Sequence, residues 1–171
     1  CKLDKCTSLR CIAPLEGKRS LARLSFRDCS IETTAPLASC RDVGLLKMGY
    51  SWDPVSWRDI ASDRATMSFN MLASGDFSGL SALSPSIKDL TISVIQGSLE
   101  PATDLTSMPA MPGLVELNIT HPWLQNVDGL SRLTDLQTLS LRGLEAEHLD
   151  LSKLPHLKML VIQACPNLRT L

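Results

Sequence analysis

The stretch LARLSFRDCSIETTAPLASC, residues 21–40, decides the fold. Its first nine residues place Leu21, Leu24, Phe26 and Cys29 in the order L-x-x-L-x-L-x-x-C. The central L-x-L alternates apolar and polar side chains, the period of a strand with one buried face. The residues after Cys29 carry no such period. A short strand with an irregular return path therefore fits, and the next question is whether the chain repeats it.

The same spacing recurs at Val43, Leu46, Met48 and Ser51, and more loosely at Thr66, Phe69, Met71 and Ser74. It continues at Ile87, Leu90, Ile92 and Ile95, then at Leu114, Leu117, Ile119 and Pro122. Leu136, Leu139, Leu141 and Leu144 follow, and then Leu157, Leu160, Ile162 and Cys165. Cys1, Leu3 and Cys6 fit the last three positions of a further copy. The copies start at 21, 43, 66, 87, 114, 136 and 157, with spacings of 22, 23, 21, 27, 22 and 21. One such unit cannot bury its apolar side alone; stacked neighbours make the core. Residues 1–171 then form a single domain of about eight full or partial repeats.

These residues resemble the leucine-rich repeat family over nearly the whole chain. The resemblance implies an α/β fold: a right-handed solenoid, with a curved parallel β-sheet on the concave face and short 3₁₀, helical or irregular convex segments. CSIETTAPLASCRD (29–42) and VDGLSRLTD (127–135) are similar to the short-repeat subclass of internalins and of a phosphatase-regulating protein, whose return path is a turn of 3₁₀. SWDPVSWRDIASD (51–63) differs: Asp53 as N-cap and Pro54 at the first helical position predict a true helical turn. LPHLKMLVIQACPNLRTL (154–171) resembles closing repeats of plant immune receptors, and LARLSFRDCSIET is similar to repeats of trypanosomatid proteins.

Cys6, Cys29 and Cys165 share the ninth repeat position. In the family that position holds Asn or Cys, pointing inward and bonding the backbone where the strand turns away. Cys29 is accordingly expected to be a reduced ladder residue. Ile95, Pro122 and Leu144 cannot donate from that position, so less regular turns are expected in the middle. Cys1, Cys6 and Cys11 lack the C-x₂-C spacing of zinc sites, so no metal is expected. A leucine core needs no disulfide framework, which favours a reducing, cytoplasmic setting. Asn118-Ile119-Thr120 spells a glycosylation sequon, but on a strand where a glycan would block the sheet.

A formal net charge of −1 offers no electrostatic footprint for nucleic acid. No apolar run approaches the roughly 20 residues of a membrane span. The histidines are His121, His148 and His156, none at ligand spacing from Cys, Asp or Glu. AEHLD (146–150) gathers Glu147, His148 and Asp150 on a convex segment, where a solvated face is expected. Trp52 and Trp57 suit packing beside a helix. No phosphate-binding Gly loop or G-x-S-x-G is present, so neither enzyme activity nor a cofactor is expected.

The function then rests on the solvent-facing positions of the strands. The register assigns Arg23, Arg27, Lys47, Tyr50, Asn70, Asp89, Glu116, Asn118 and Arg142 to the partner-binding face, together with Thr120, His121, Met159 and Val161. Arg23, Arg27 and Lys47, with Tyr50 beside them, predict a basic patch suited to an acidic protein surface. Arg132 and Lys153 are expected to be inert convex charges. Exposed Met159 and Val161, and the absence of polar capping segments, suggest a piece of a longer array. The leading expectation is a non-catalytic protein–protein interaction scaffold. The alternatives are the ligand-sensing segment of an immune or surface receptor, or nucleic-acid binding through the N-terminal basic patch.

Overall fold

The computed structural model describes residues 2–6, 8–21, 23–27, 32, 35–39, 42–43, 46–49, 66–71, 77, 80–81, 87–94, 104–122 and 124–171. Its strands are β1 (Lys2–Asp4), β2 (Ser20–Leu21), β3 (Leu24–Arg27), β4 (Asp42–Val43), β5 (Leu46–Gly49), β6 (Thr66–Met71), β7 (Asp89–Val94), β8 (Glu116–Thr120), β9 (Thr138–Arg142) and β10 (Met159–Gln163). Eight of these form one parallel sheet in the order β1-β3-β5-β6-β7-β8-β9-β10, and β2 pairs with β4. Every strand of the large sheet therefore lies beside the next copy of the repeat, as the stacking argument requires.

The L-x-L positions face inward. Leu90, Leu117 and Leu139 are register partners along three successive strands, as are Ile92, Ile119 and Leu141. All six are at most 2% exposed. Burying one such side chain stabilises by roughly 1.5–3 kcal/mol, so the stacked columns supply most of the driving force. The intervening Thr91, Asn118 and Ser140 remain half-buried on the other face. Between adjacent coils a carbonyl is shared. Val115 O accepts from Gln137 N (2.8 Å) and Thr138 N (3.0 Å), and Gln137 O accepts from Lys158 N (2.8 Å) and Met159 N (3.0 Å).

The return path runs in threes. Leu105, Met108, Met111 and Leu114 are buried, and so are Val127, Leu130, Leu133 and Leu136. Leu130 N donates to Val127 O, Leu133 N to Leu130 O and Leu136 N to Leu133 O, at 2.9–3.1 Å. This is the i to i+3 pattern of the 3₁₀ helix, whose three residues per turn keep one apolar face inward. The 3₁₀ pieces Ala35–Ser39 and Asp128–Arg132 fall inside the two segments expected to carry them. The expected helix at 51–63 lies outside the described residues, as does Cys29.

Three devices hold these returns. Asp104, Asn126 and Asp150 each accept from the backbone N–H two residues on, at 2.8–2.9 Å, and so start the turn. Gly129 sits where a Cβ would lie 1.8 Å from Leu105 O, so the coils approach backbone to backbone only because the side chain is missing. Arg132 Nη1 donates to Thr106 O and to Met108 O, both at 2.6 Å, tying one coil to the one before it. Arg132 is thus a structural clamp, not the inert convex charge expected of it.

Two further expectations are corrected. The register pairs Met67 with Leu90 and Phe69 with Ile92, so the third-strand copy starts two residues earlier than the assigned Thr66. Alternating apolar residues at 67, 69 and 71 made the two-residue slip invisible, and it leaves the face assignment unchanged. His121 is 1% exposed instead of solvent-facing. Its equivalents at the strand exits, Lys5, Gly143 and Ala164, have φ of 54°, 84° and 52°. His121 precedes Pro122, and a residue before proline is confined to extended backbone. The chain therefore cannot turn away at that point, and the imidazole follows the strand direction into the core.

Candidate interaction face

The outer positions of the sheet fall into rows. One row runs Lys2, Ser25, Lys47, Ser68, Thr91, Asn118, Ser140 and Val161, every neighbour being a register partner. A second runs Thr66, Asp89, Glu116, Thr138 and Met159. A third runs Asn70, Ser93, Thr120, Arg142 and Gln163. Neighbouring strands in such a sheet lie about 4.8 Å apart, so each row is nearly continuous.

The residues assigned to the face divide into two groups. Asp89 and Glu116 are direct partners on β7 and β8, and both are half-buried. Asn118 Nδ2 donates to Glu116 Oε1 at 2.8 Å, so the amide and carboxylate are held side by side. Arg142 is exposed on the opposite margin, beside Thr120 and Gln163. Between them Thr91, Ser93, Asn118, Thr138 and Ser140 present hydroxyls and amides on a half-buried surface. This group forms one contiguous polar area with an acidic margin and a basic one.

The second group is N-terminal. Arg23 is exposed immediately before β3. The backbones of Arg27 and Lys47 lie on the neighbouring strands β3 and β5, with Lys47 opposite Ser25. Asn70 lies on β6 opposite Ser93. The side chains of Arg27, Lys47 and Asn70, and the whole of Tyr50, lie outside the described part, so the basic patch is placed by register alone.

Elsewhere the chemistry is that of turns. His148 Nδ1 lies 2.6 Å from Thr170 Oγ1, and Glu147, His148 and Asp150 are all exposed. Hydrogen bonds from the Thr106 side chain, and then its backbone, hold the Asp104 carboxyl below the usual range. Ser152, side chain first and then backbone, does the same for Asp150. Cys165 Sγ donates to Gln163 O at 3.2 Å, a bond within its own coil at the end of β10. Cys11 and Cys165 are free thiols. Among the described residues no three His, Cys, Asp or Glu side chains gather as metal ligands, and no helix is long and apolar enough to cross a membrane. A convex hollow of about 250 Å³ is lined by Val127, Asp128, Ser131, Asp150 and Lys153; no spacing in the sequence had singled it out.

No protein-family model matches the chain, and neither does any curated protein. Among solved structures it is similar to an internalin (inlF) from Listeria monocytogenes strain 4b F2365, at 15% identity and a TM-score of 0.51. The alignment covers 95% of this chain and 57% of that one, so the chain spans little more than half of the structure it matches. The likeness is one of fold: a parallel sheet of stacked strands with few helices, as in leucine-rich-repeat proteins.

Proposed function

We propose that the chain is a protein-interaction scaffold of the leucine-rich-repeat type, without catalytic activity of its own. Residues 1–171 act as one domain, a right-handed solenoid whose exposed sheet face is concave and receives a partner protein. One observation carries this reading. The register aligns outer residues from eight strands into continuous rows, an extended surface that a single enzyme pocket would not need. The acidic margin at Asp89 and Glu116, the basic margin at Arg142, and the register-placed Arg23, Arg27 and Lys47 give that surface a charge pattern able to orient a partner.

The test begins with affinity capture by the full-length protein and identification of what is retained. The captured partner is then measured against the charge reversals Arg23→Glu with Arg27→Glu, and Asp89→Lys with Glu116→Lys. Each pair is expected to slow association about tenfold or more at low salt while leaving the melting temperature nearly unchanged. Lys18→Glu with Lys153→Glu, both exposed and off the face, should leave association unaltered. Association that ignores both face reversals and falls with the off-face pair would place binding on the convex side.

A further inference from the structure

Three strands present an outer surface that neither end of the sheet affects. β7, β8 and β9 lie between β6 and β10, so each has a paired neighbour on both sides. Their outer residues form a grid of nine, three from each strand in matching register. One margin holds Asp89 and Glu116, the opposite corner holds Arg142, and each of the other six is Ser, Thr or Asn. Thr120 and Arg142 are exposed and the rest are half-buried. The centres of protein interfaces usually gather aromatic residues and Met and are poor in Asp, Glu and Ser. This grid is the reverse. A partner that brought apolar anchors here would strip water from hydroxyls and carboxylates without replacing it. A partner that satisfies them brings polar and charged groups of its own.

Charge fixes where those groups stand. Asp89 and Glu116 are side by side on neighbouring strands, about 4.8 Å apart at the backbone. Two carboxylates that close repel each other, and one cation set between them is attracted by both. Asn118 Nδ2, donating to Glu116 Oε1 at 2.8 Å, holds that carboxylate in place. Arg142 stands one strand on from Glu116 and four residues further along, since Glu116 pairs with Thr138. At about 3.3 Å per residue and about 4.8 Å per strand, Glu116 and Arg142 are about 14 Å apart at the backbone. An extended chain covers that distance in about four residues.

We propose that this grid is the docking floor for an extended polar segment of a partner protein, with a basic side chain over Asp89 and Glu116 and an acidic one at Arg142. The inference rests on the reading of the chain as an interaction scaffold and adds the kind of segment it takes. Between the two charges, Thr91, Asn118 and Ser140 offer hydroxyls and an amide to the segment's own polar groups. The segment can run either way along the strands, because the grid fixes only the spacing of its charges. Both ends of the contact are electrostatic, so it weakens as ionic strength rises.

Selection from a displayed library of random peptides of about 12 residues, at low salt and with the 171-residue chain as bait, tests this. The expected peptides carry Lys or Arg and Asp or Glu about four residues apart, in either order, with polar residues between them. Asp89→Asn with Glu116→Gln should weaken binding of such a peptide about tenfold. In that variant, replacing the peptide's basic residue by alanine should cost nothing more, while replacing its acidic residue should still cost affinity. Arg142→Gln should do the converse. The two amides keep the shape of the acids they replace, and the peptide-side replacements leave the chain unaltered. Enriched peptides that lack the charge pair, or whose charges matter equally in every variant, would overturn the proposal and leave the scaffold reading standing. A library that yields no binder would overturn both.

Discussion

The coil built on β9 and the coil built on β10 share the pattern L-x-x-L-x-L, yet they hold their leucines differently. Leu139 and Leu141 are covered from both sides, by β8 and by β10. Leu160 and Ile162 are covered from one side and stay half-buried. In a stacked fold the burial of a residue is thus set by its coil's neighbours as much as by its own position in the repeat. One sequence pattern yields a fully buried residue in one coil and a half-buried one in the next.

The largest effect expected from this contrast is at the central leucines. Leu139→Ala should destabilise by roughly 2–5 kcal/mol, because a cavity enclosed by two coils cannot collapse. Leu160→Ala should cost about 1–2 kcal/mol, the transfer of a half-covered side chain with little cavity. Urea unfolding of the two variants checks this. Equal losses would mean that β10 is covered as fully as β9.

A smaller effect separates the strand exits. Gly143 leaves β9 at φ 84°, and a Cβ there would lie 3.0 Å from Pro122 Cα. Ala164 leaves β10 at φ 52° with its Cβ in place. Gly143→Ala should therefore cost at least about 1–2 kcal/mol, while Ala164→Gly should be neutral or stabilise by up to about 1 kcal/mol. Thermal melts of the two variants that moved in the same direction would contradict the left-handed exit in one of these coils.

The smallest effect should be equal in the return paths that precede β8 and β10. Asp104 and Asp150 start the return path in the same way, and turn hydrogen bonds lower both carboxyl pKa values from 3.8. A group lowered in the folded state stabilises above its unfolded pKa, and the gain is lost as pH falls through the folded value. The difference in melting temperature between wild type and Asp104→Ala should hold from neutral pH to about 5 and shrink below about 4. Asp150→Ala should behave alike. A difference that grew toward acid would reverse the assigned sign.

Much of the fold was legible because the L-x-L alternation is a local signal. Leu90, Leu117 and Leu139 could be placed on one buried column before any coordinate was known. The third-strand copy was misplaced because Met67, Phe69 and Met71 satisfy two registers equally, and only the neighbouring strands choose between them. The burial of His121 was written in its sequence, in the proline that follows it and in the alternation that already turns Leu117 and Ile119 inward. Arg132 could not be read as a clamp, because its acceptors, Thr106 O and Met108 O, are backbone atoms of another coil. Of the face, Asp89, Glu116, Asn118 and Arg142 stand where alternation put them. The spread of the polar area between them depends on strand-to-strand register, which alternation within one strand does not contain.

The strict strand order has a consequence for how the chain folds. Each strand of the large sheet meets its neighbour across roughly one repeat, so the chain closes a loop of 21–27 residues at every step and never a long one. Contacts so close in sequence favour faster folding than the non-local pairings of sandwiches and barrels. The barrier lies in joining the first two coils, since a lone coil has nothing to bury against. Every later coil finds a finished apolar surface waiting. A coil substitution should therefore slow folding most when it lies in the first pair to form, and elsewhere should act by speeding unfolding.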